Sequence, residues 1–169
     1  MNKRSSIMFQ RGILISLVSA GLVFMPGPIM AAESARVLRA GAAAVDITPQ
    51  ELPVRVAGNF FEQLASEVED RLHARCLTLD NGQERVAIAV VDSCVIPRDL
   101  FDQAKRMAGD ATGIPVDRIL ISATHTHSGP TLDAILGSDG NSKYRQWLPG
   151  RTVHPILAGP RLATAPDRY

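Results

Sequence analysis

Beyond residue 70 the chain is organised by apolar runs set between polar breaks. Residues 72–79 alternate in the manner of a strand. Residues 85–92 enclose Val86-Ala87-Ile88-Ala89-Val90-Val91, a run continuous enough to be buried on both faces of a sheet. Residues 118–123 hold a second such run, Ile119-Leu120-Ile121-Ser122. Between the two runs, Leu100, Phe101, Ala104, Met107 and Ala108 recur at helical spacing, and Asp99, Asp102, Lys105 and Arg106 point the other way. A helix is therefore predicted to open after Pro97 and to end at Gly109, with Gly113-Ile114-Pro115 keeping it ended. Strand, helix and strand in that order predict a right-handed β-α-β unit with parallel strands, and helices on both faces of the sheet.

The polar break Asp80-Asn81-Gly82-Gln83 reads as a two-residue hairpin turn on Asn81-Gly82, which sets Cys76 opposite Ala87. The expected fold class is thus α/β, a mixed sheet in which a β-hairpin leads into the β-α-β unit. Residues 37–47 add a strand that stops before Pro49, a residue unable to donate to a ladder. In residues 50–70, Phe60, Phe61, Leu64 and Val68 fall on one face of a short predicted helix, with Glu62, Glu67, Glu69 and Asp70 on its wet side; Gly58-Asn59 precede it as a loop. The pattern decays after Tyr144. Pro155, Pro160 and Pro166 sit too close together for a helix or a central strand, so residues 154–169 are expected to form an irregular tail.

Charge changes the picture at the N-terminus. Lys3, Arg4 and Arg11 precede an apolar stretch from Ile13 to Phe24, Pro26-Gly27-Pro28 interrupts it, and Ala31-Ala32 follows. Residues 1–31 therefore read as a secretory signal, with an uncleaved anchor as the alternative. The stretch is short of the roughly 20 residues a comfortable span needs, so no stable membrane span is expected after cleavage. The rest of the chain is expected to be secreted or periplasmic. It keeps 15 basic against 17 acidic residues, which leaves no electrostatic footprint for nucleic acid. In an oxidising compartment Cys76 and Cys94 are candidates to pair. The hairpin register separates them by roughly 23 Å along extended chain, at about 3.3 Å per residue, so two free packed thiols are expected.

The polar residues that stand out are Asp92 and Thr124-His125-Thr126-His127-Ser128-Gly129-Pro130. Asp92 and His125 end successive parallel strands, at the carboxyl edge where open α/β folds place their sites. In extended chain residues i and i+2 share a face, so His125 and His127 present two imidazoles to one side. Neutral imidazole is a common zinc ligand, and a catalytic zinc takes about three protein ligands, so two histidines make an incomplete site. Asp92 is a candidate further ligand, or the partner that orients an imidazole. The bland alternative is a polar loop with two solvated histidines, Asp92 serving as a strand-end cap. Trp147 and Tyr144 read as packing residues, and nothing places His73 or His154 near the pair.

These stretches also carry a resemblance. Gly41-Ala42-Ala43-Ala44-Val45-Asp46-Ile47-Thr48-Pro49, Leu72-His73-Ala74-Arg75, Leu77-Thr78-Leu79-Asp80, Ser122-Ala123-Thr124-His125-Thr126-His127-Ser128-Gly129-Pro130, Leu136-Gly137-Ser138-Asp139 and Trp147-Leu148-Pro149-Gly150-Arg151 together resemble the N-terminal domain of neutral/alkaline non-lysosomal ceramidases, particularly the shorter secreted bacterial relatives. Residues 122–130 are the most specific piece. The resemblance implies a partial α/β domain over residues 36–153 of a zinc-dependent amidase that cleaves ceramide, or another N-acyl lipid, at its amide. It carries His125 over as a zinc ligand. His127 comes over into the same active site, as a ligand or catalytic group, and Asp92 is the catalytic candidate beside them. The family's later histidine, glutamate and tyrosine ligands have no match here; His154 and Tyr169 stand in unlike surroundings. The expectation is an incomplete, inactive N-terminal part, truncated or frame-shifted after about residue 153. An exported non-enzymatic α/β binding domain, or a zinc hydrolase for another amide or ester, are the competing readings.

Overall fold

The apolar runs do become the strands of one sheet in the structure, a computed structural model that describes residues 37–58, 60–158 and 163–164. The signal reading of residues 1–31 lies outside those residues. In chain order the elements are β1 (Arg39–Asp46), β2 (Val54–Val56), β3 (Gln63–Ala65), β4 (His73–Asp80), β5 (Arg85–Val91), α1 (Arg98–Thr112), β6 (Ile119–Ala123), α2 (Ser142–Ala158) and β7 (Ala163–Thr164). The main sheet runs β6-β5-β4-β1-β7, while β2 and β3 form a separate two-stranded ribbon. β5 and β6 pair in parallel; β5 with β4, β4 with β1 and β1 with β7 are antiparallel. The α/β class, the mixed sheet, and the hairpin leading into a β-α-β unit are all present.

Alternation sorts the strands into two faces. Ala74, Cys76 and Thr78 of β4, Ala87, Ala89 and Val91 of β5, and Ile119 and Ile121 of β6 are buried. Leu100, Ala104 and Ala108 of α1 pack over this face, and Leu148, Val153 and Ile156 of α2 complete the same core. The two helices also pack against each other. The opposite face leaves Leu77, Val86 and Leu120 exposed. The expectation of helices on both faces is therefore corrected: among the described residues both helices share one face. The physical reason is that only one ladder is parallel, and antiparallel neighbours tolerate an open face. For the same reason β5 is buried on one side and half-buried on the other, rather than on both.

Four further expectations change. First, the hairpin after β4 is a four-residue loop with Asp80 paired to Arg85, so Cys76 faces Ala89 rather than Ala87. The Asn81 Oδ1 accepts from the N–H groups of Gln83 and Glu84, and Asp80 Oδ1 accepts from Gly82 N–H; these side chains build a wider turn than Asn-Gly alone would. A slip of two residues preserves the in–out alternation, so the same strand face stays buried. Second, α1 does not end at Gly109. It runs on to Thr112, and Gly113 ends it with φ 72° and its N–H on Gly109 C=O. Gly109 is small because Ile114 O and Val116 Cγ2 return over it; a Cβ there would sit 3.2 Å from each.

Third, residues 60–68 form no helix. Gln63–Ala65 is a strand paired with Val54–Val56, and Phe60, Phe61, Leu64 and Val68 are exposed. Helical spacing of apolar residues reports a shared face only if the backbone is helical, and Phe60 has a φ of 59°. Fourth, residues 154–158 are not irregular; they are the last turns of α2, which accommodates Pro149 and Pro155 internally. Tyr144, Leu148, Thr152 and Ile156 recur every four residues and all are buried. That buried stripe holds the helix despite two missing backbone donors. Residues 159–162 and 165–169 of the expected tail lie outside the described residues.

Cys76 and Cys94 are both free and buried, as the sequence predicts. Burial pushes both thiols above the ordinary range, which keeps them protonated and unreactive. The native protein should therefore resist a thiol reagent at neutral pH and yield two labels once unfolded without reductant. Labelling that finds no thiol after unfolding would refute the pairing state.

Candidate functional site

The carboxyl ends of β5 and β6 stay paired past the sheet. Thr124 N–H donates to Val91 C=O at 3.0 Å, and His125 N–H to Ser93 C=O at 2.9 Å. The chain then turns at His125, whose φ of 64° is uncommon for a residue with a side chain. The two imidazoles end 4.9 Å apart, edge to face at 74°. Their Nε2 atoms stand 3.3 Å from each other. The sequence reading correctly puts both rings on one side, but the route differs: a left-handed residue, not an extended strand, brings them together. Strained backbone of this kind concentrates at functional sites.

The His125 ring is oriented by main chain. Its Nδ1 lies 2.8 Å from Cys94 C=O. A carbonyl only accepts, so Nδ1 carries the proton and Nε2 keeps its lone pair for another partner. The orienting group considered from sequence, Asp92, stands elsewhere. Its Oδ2 accepts from His73 N–H and from Arg75, each at 2.8 Å, on the strand next to β5. Asp92 is thus at the predicted sheet edge and engaged with β4, not with either imidazole. His154 is exposed on α2. Trp147 and Tyr144 pack ring to ring at 5.7 Å, and the Tyr144 hydroxyl donates to Ile47 C=O at 2.7 Å. Burial first, then the charges of Asp92 and Asp46, push the Tyr144 phenol well above its ordinary range, so it stays a donor.

Can the donors present hold an ion? A tetrahedral zinc with bonds of about 2.05 Å separates two ligand nitrogens by about 3.3 Å. The Nε2 pair has that spacing. Cys94 offers a third atom: its Sγ and one nitrogen from each histidine all lie within 4.8 Å of one another. The two imidazoles are exposed and ready to ligate, whereas the buried thiol must first lose a proton that its surroundings hold. The donor set therefore fits a borderline divalent ion of the zinc type.

Three residues that matter here have no signal in the sequence reading. Cys94 acts through its main-chain carbonyl, which any residue supplies. Gly58 lies beneath the His127 ring. Asn141 ties two loops together: its Oδ1 accepts from Arg55 N–H at 2.9 Å, and its Nδ2 donates to Arg55 C=O at 2.9 Å and Thr131 C=O at 2.8 Å. Only contacts across 86 residues of chain reveal that role. Clefts of about 370 and 500 Å3 flank Trp147 and do not include the histidines. No described helix is long and apolar enough to cross a membrane.

No protein-family model and no curated protein matches the chain. Solved structures similar to it include two ceramidases. One is neutral ceramidase from Pseudomonas aeruginosa, at 22% identity and a TM-score of 0.65, covering 76% of this chain and 22% of that one. The other is a ceramidase complexed with C2, at 22% identity and a TM-score of 0.64, with the same coverage. The chain spans less than a quarter of the length of either structure. At that identity the likeness concerns architecture: the chain carries a ceramidase-like α/β fold, and it holds the His125–His127 pair at the carboxyl edge of the parallel strands.

Proposed function

We propose that this chain is the N-terminal part of an exported, secreted or periplasmic, zinc-dependent hydrolase that acts on the amide of ceramide or another N-acyl lipid. The observation that carries the reading is the Nε2 pair at 3.3 Å, with the His125 tautomer set by Cys94 C=O, on a fold shared with neutral ceramidase. His125 and His127 hold the ion. Bound zinc supplies polarisation of the scissile carbonyl and a water acidified toward a pKa of about 7. His125 contributes a fixed lone pair, because its other nitrogen is committed to main chain. His127, exposed on the same side, contributes the second donor through its own Nε2. Asp92, bonded by Arg75 and His73 N–H, holds the strand edge on which the pair stands.

Two ready imidazoles fall short of the about three protein ligands a catalytic zinc takes, so the chain alone is expected to bind metal and to turn over no substrate. Titration calorimetry on chelator-treated protein should find one equivalent of Zn2+. His125→Ala should weaken binding at least tenfold while circular dichroism stays unchanged. Unaltered binding in that variant would remove the metal reading, and N-acyl amide hydrolysis by the isolated chain would remove the incompleteness. The non-enzymatic reading draws on the exposure of both histidines outside the clefts; metal-free protein with unchanged stability in His125→Ala favours it.

A further inference from the structure

We infer that Gly58 is the positioning residue for His127: the missing side chain there is what lets the second imidazole stand against the first. Gly58 has a φ of 113°, a region that residues with a Cβ rarely adopt. A Cβ built on it would stand 2.3 Å from His127 Nδ1, 2.4 Å from Cγ and 2.8 Å from Cβ. All three are closer than non-bonded carbon and nitrogen approach, so something must move. The atoms struck include the root of the side chain, so a small tilt of the ring tip does not relieve the clash.

The geometry also decides which partner yields. The segment leading to Gly58 is held on both sides of its backbone. Arg55 N–H and C=O are both bonded by the Asn141 side chain. Thr131 N–H donates to Arg55 C=O at 2.9 Å, Val56 bridges Pro130, and Ala57 N–H donates to Gly129 C=O at 3.3 Å. Among the described residues the His127 side chain has no comparable restraint: it is exposed, and its ring contact is His125. A methyl group at Gly58 therefore displaces the His127 side chain from its root, ring included, and not the strand. The Nε2 separation of 3.3 Å, which suits two ligands of one ion, then opens. Gly58 acts through His127 and touches neither metal nor substrate.

The zinc arm of the test rests on the metal reading above; the spectroscopic arm does not. Gly58→Ala is expected to weaken Zn2+ binding at least tenfold, within the 10–100-fold range seen when residues that orient a ligand are changed. Gly82→Ala is the control. Gly82 has a φ of 86° but no heavy atom within 4 Å of its would-be Cβ, so it carries the backbone strain without the clash. It should leave affinity within twofold of the parent. In a His127→Ala background, Gly58→Ala should change zinc affinity less than twofold. Independently, the nuclear Overhauser contact between the His125 and His127 rings should vanish in Gly58→Ala and persist in Gly82→Ala, with or without metal. An undiminished ring contact in Gly58→Ala, or an equal affinity loss in the His127→Ala background, overturns the inference. Should Gly58→Ala fail to fold, recovery of the fold in Gly58→Ala/His127→Gly supports the clash, and continued unfolding overturns it. A parent chain that binds no zinc but loses the ring contact in Gly58→Ala sinks the metal reading and leaves this one standing.

Discussion

Ile156→Ala should lower the unfolding free energy by about 2–5 kcal/mol, the range for truncating a fully buried isoleucine. Ile156 is 1% exposed in the core under the sheet. It belongs to the stripe Tyr144, Leu148, Thr152 and Ile156 that lays α2 along β1, β4 and β5. The neighbouring Leu157→Ala is the internal control. Leu157 is 45% exposed, so its loss should fall within about 0.5 kcal/mol of zero. An irregular segment here would make the two variants alike. Guanidinium denaturation with unchanged m-value reads the difference directly, and equal midpoints would show that the last turns of α2 are not part of the cooperative core. Against a typical total of about 5–15 kcal/mol, the expected loss is a large fraction of what holds the domain folded.

The same helix shows where sequence patterning stops working. β4, β5 and β6 are legible because burial leaves an apolar record in each: Cys76, Ala87, Ala89, Val91, Ile119 and Ile121 all lie inward. α1 is legible for the same reason, through Leu100, Ala104 and Ala108. α2 is not, because Thr152 and two prolines interrupt its apolar record, although Thr152 sheds its polarity onto Leu148 C=O at 3.0 Å. A buried hydroxyl satisfied within its own helix looks polar in sequence and behaves as core.

The site divides similarly. The H-x-H spacing announces the pair and its shared side. What aligns the rings is invisible to spacing: a carbonyl on Cys94, an absent Cβ on Gly58 and the amide of Asn141. Each acts across the fold and through backbone or empty space, which leave no compositional trace. Asp92 illustrates the reverse. Its position at the strand end is readable, but Arg75, one strand away, decides which way the carboxylate faces.

Asn141→Ala is expected to cost about 2–4 kcal/mol of stability and to loosen the loops that carry the site. The argument follows from which partners are left over. Thr131 C=O still receives Asn141 N–H at 3.0 Å, and Arg55 C=O still receives Thr131 N–H at 2.9 Å. Arg55 N–H, however, loses the Asn141 Oδ1 at 2.9 Å. A half-buried donor left unpaired costs about 1–3 kcal/mol, and the lost bonds to the two carbonyls and to Thr131 Oγ1 add the remainder. Asn141→Asp is not a rescue. It keeps an acceptor for Arg55 N–H but turns a carboxylate oxygen toward two carbonyls, so it should destabilise as well. Hydrogen exchange locates the effect: Arg55, Ala57 and Thr131 amides should lose protection first, while the β4–β5 ladder follows only the global change. Because Gly58 hangs from this segment, zinc affinity in Asn141→Ala should fall with local protection even at temperatures where the core stays folded. A variant that keeps parental protection at Arg55 and Thr131 would mean the amide is not what fastens the two loops.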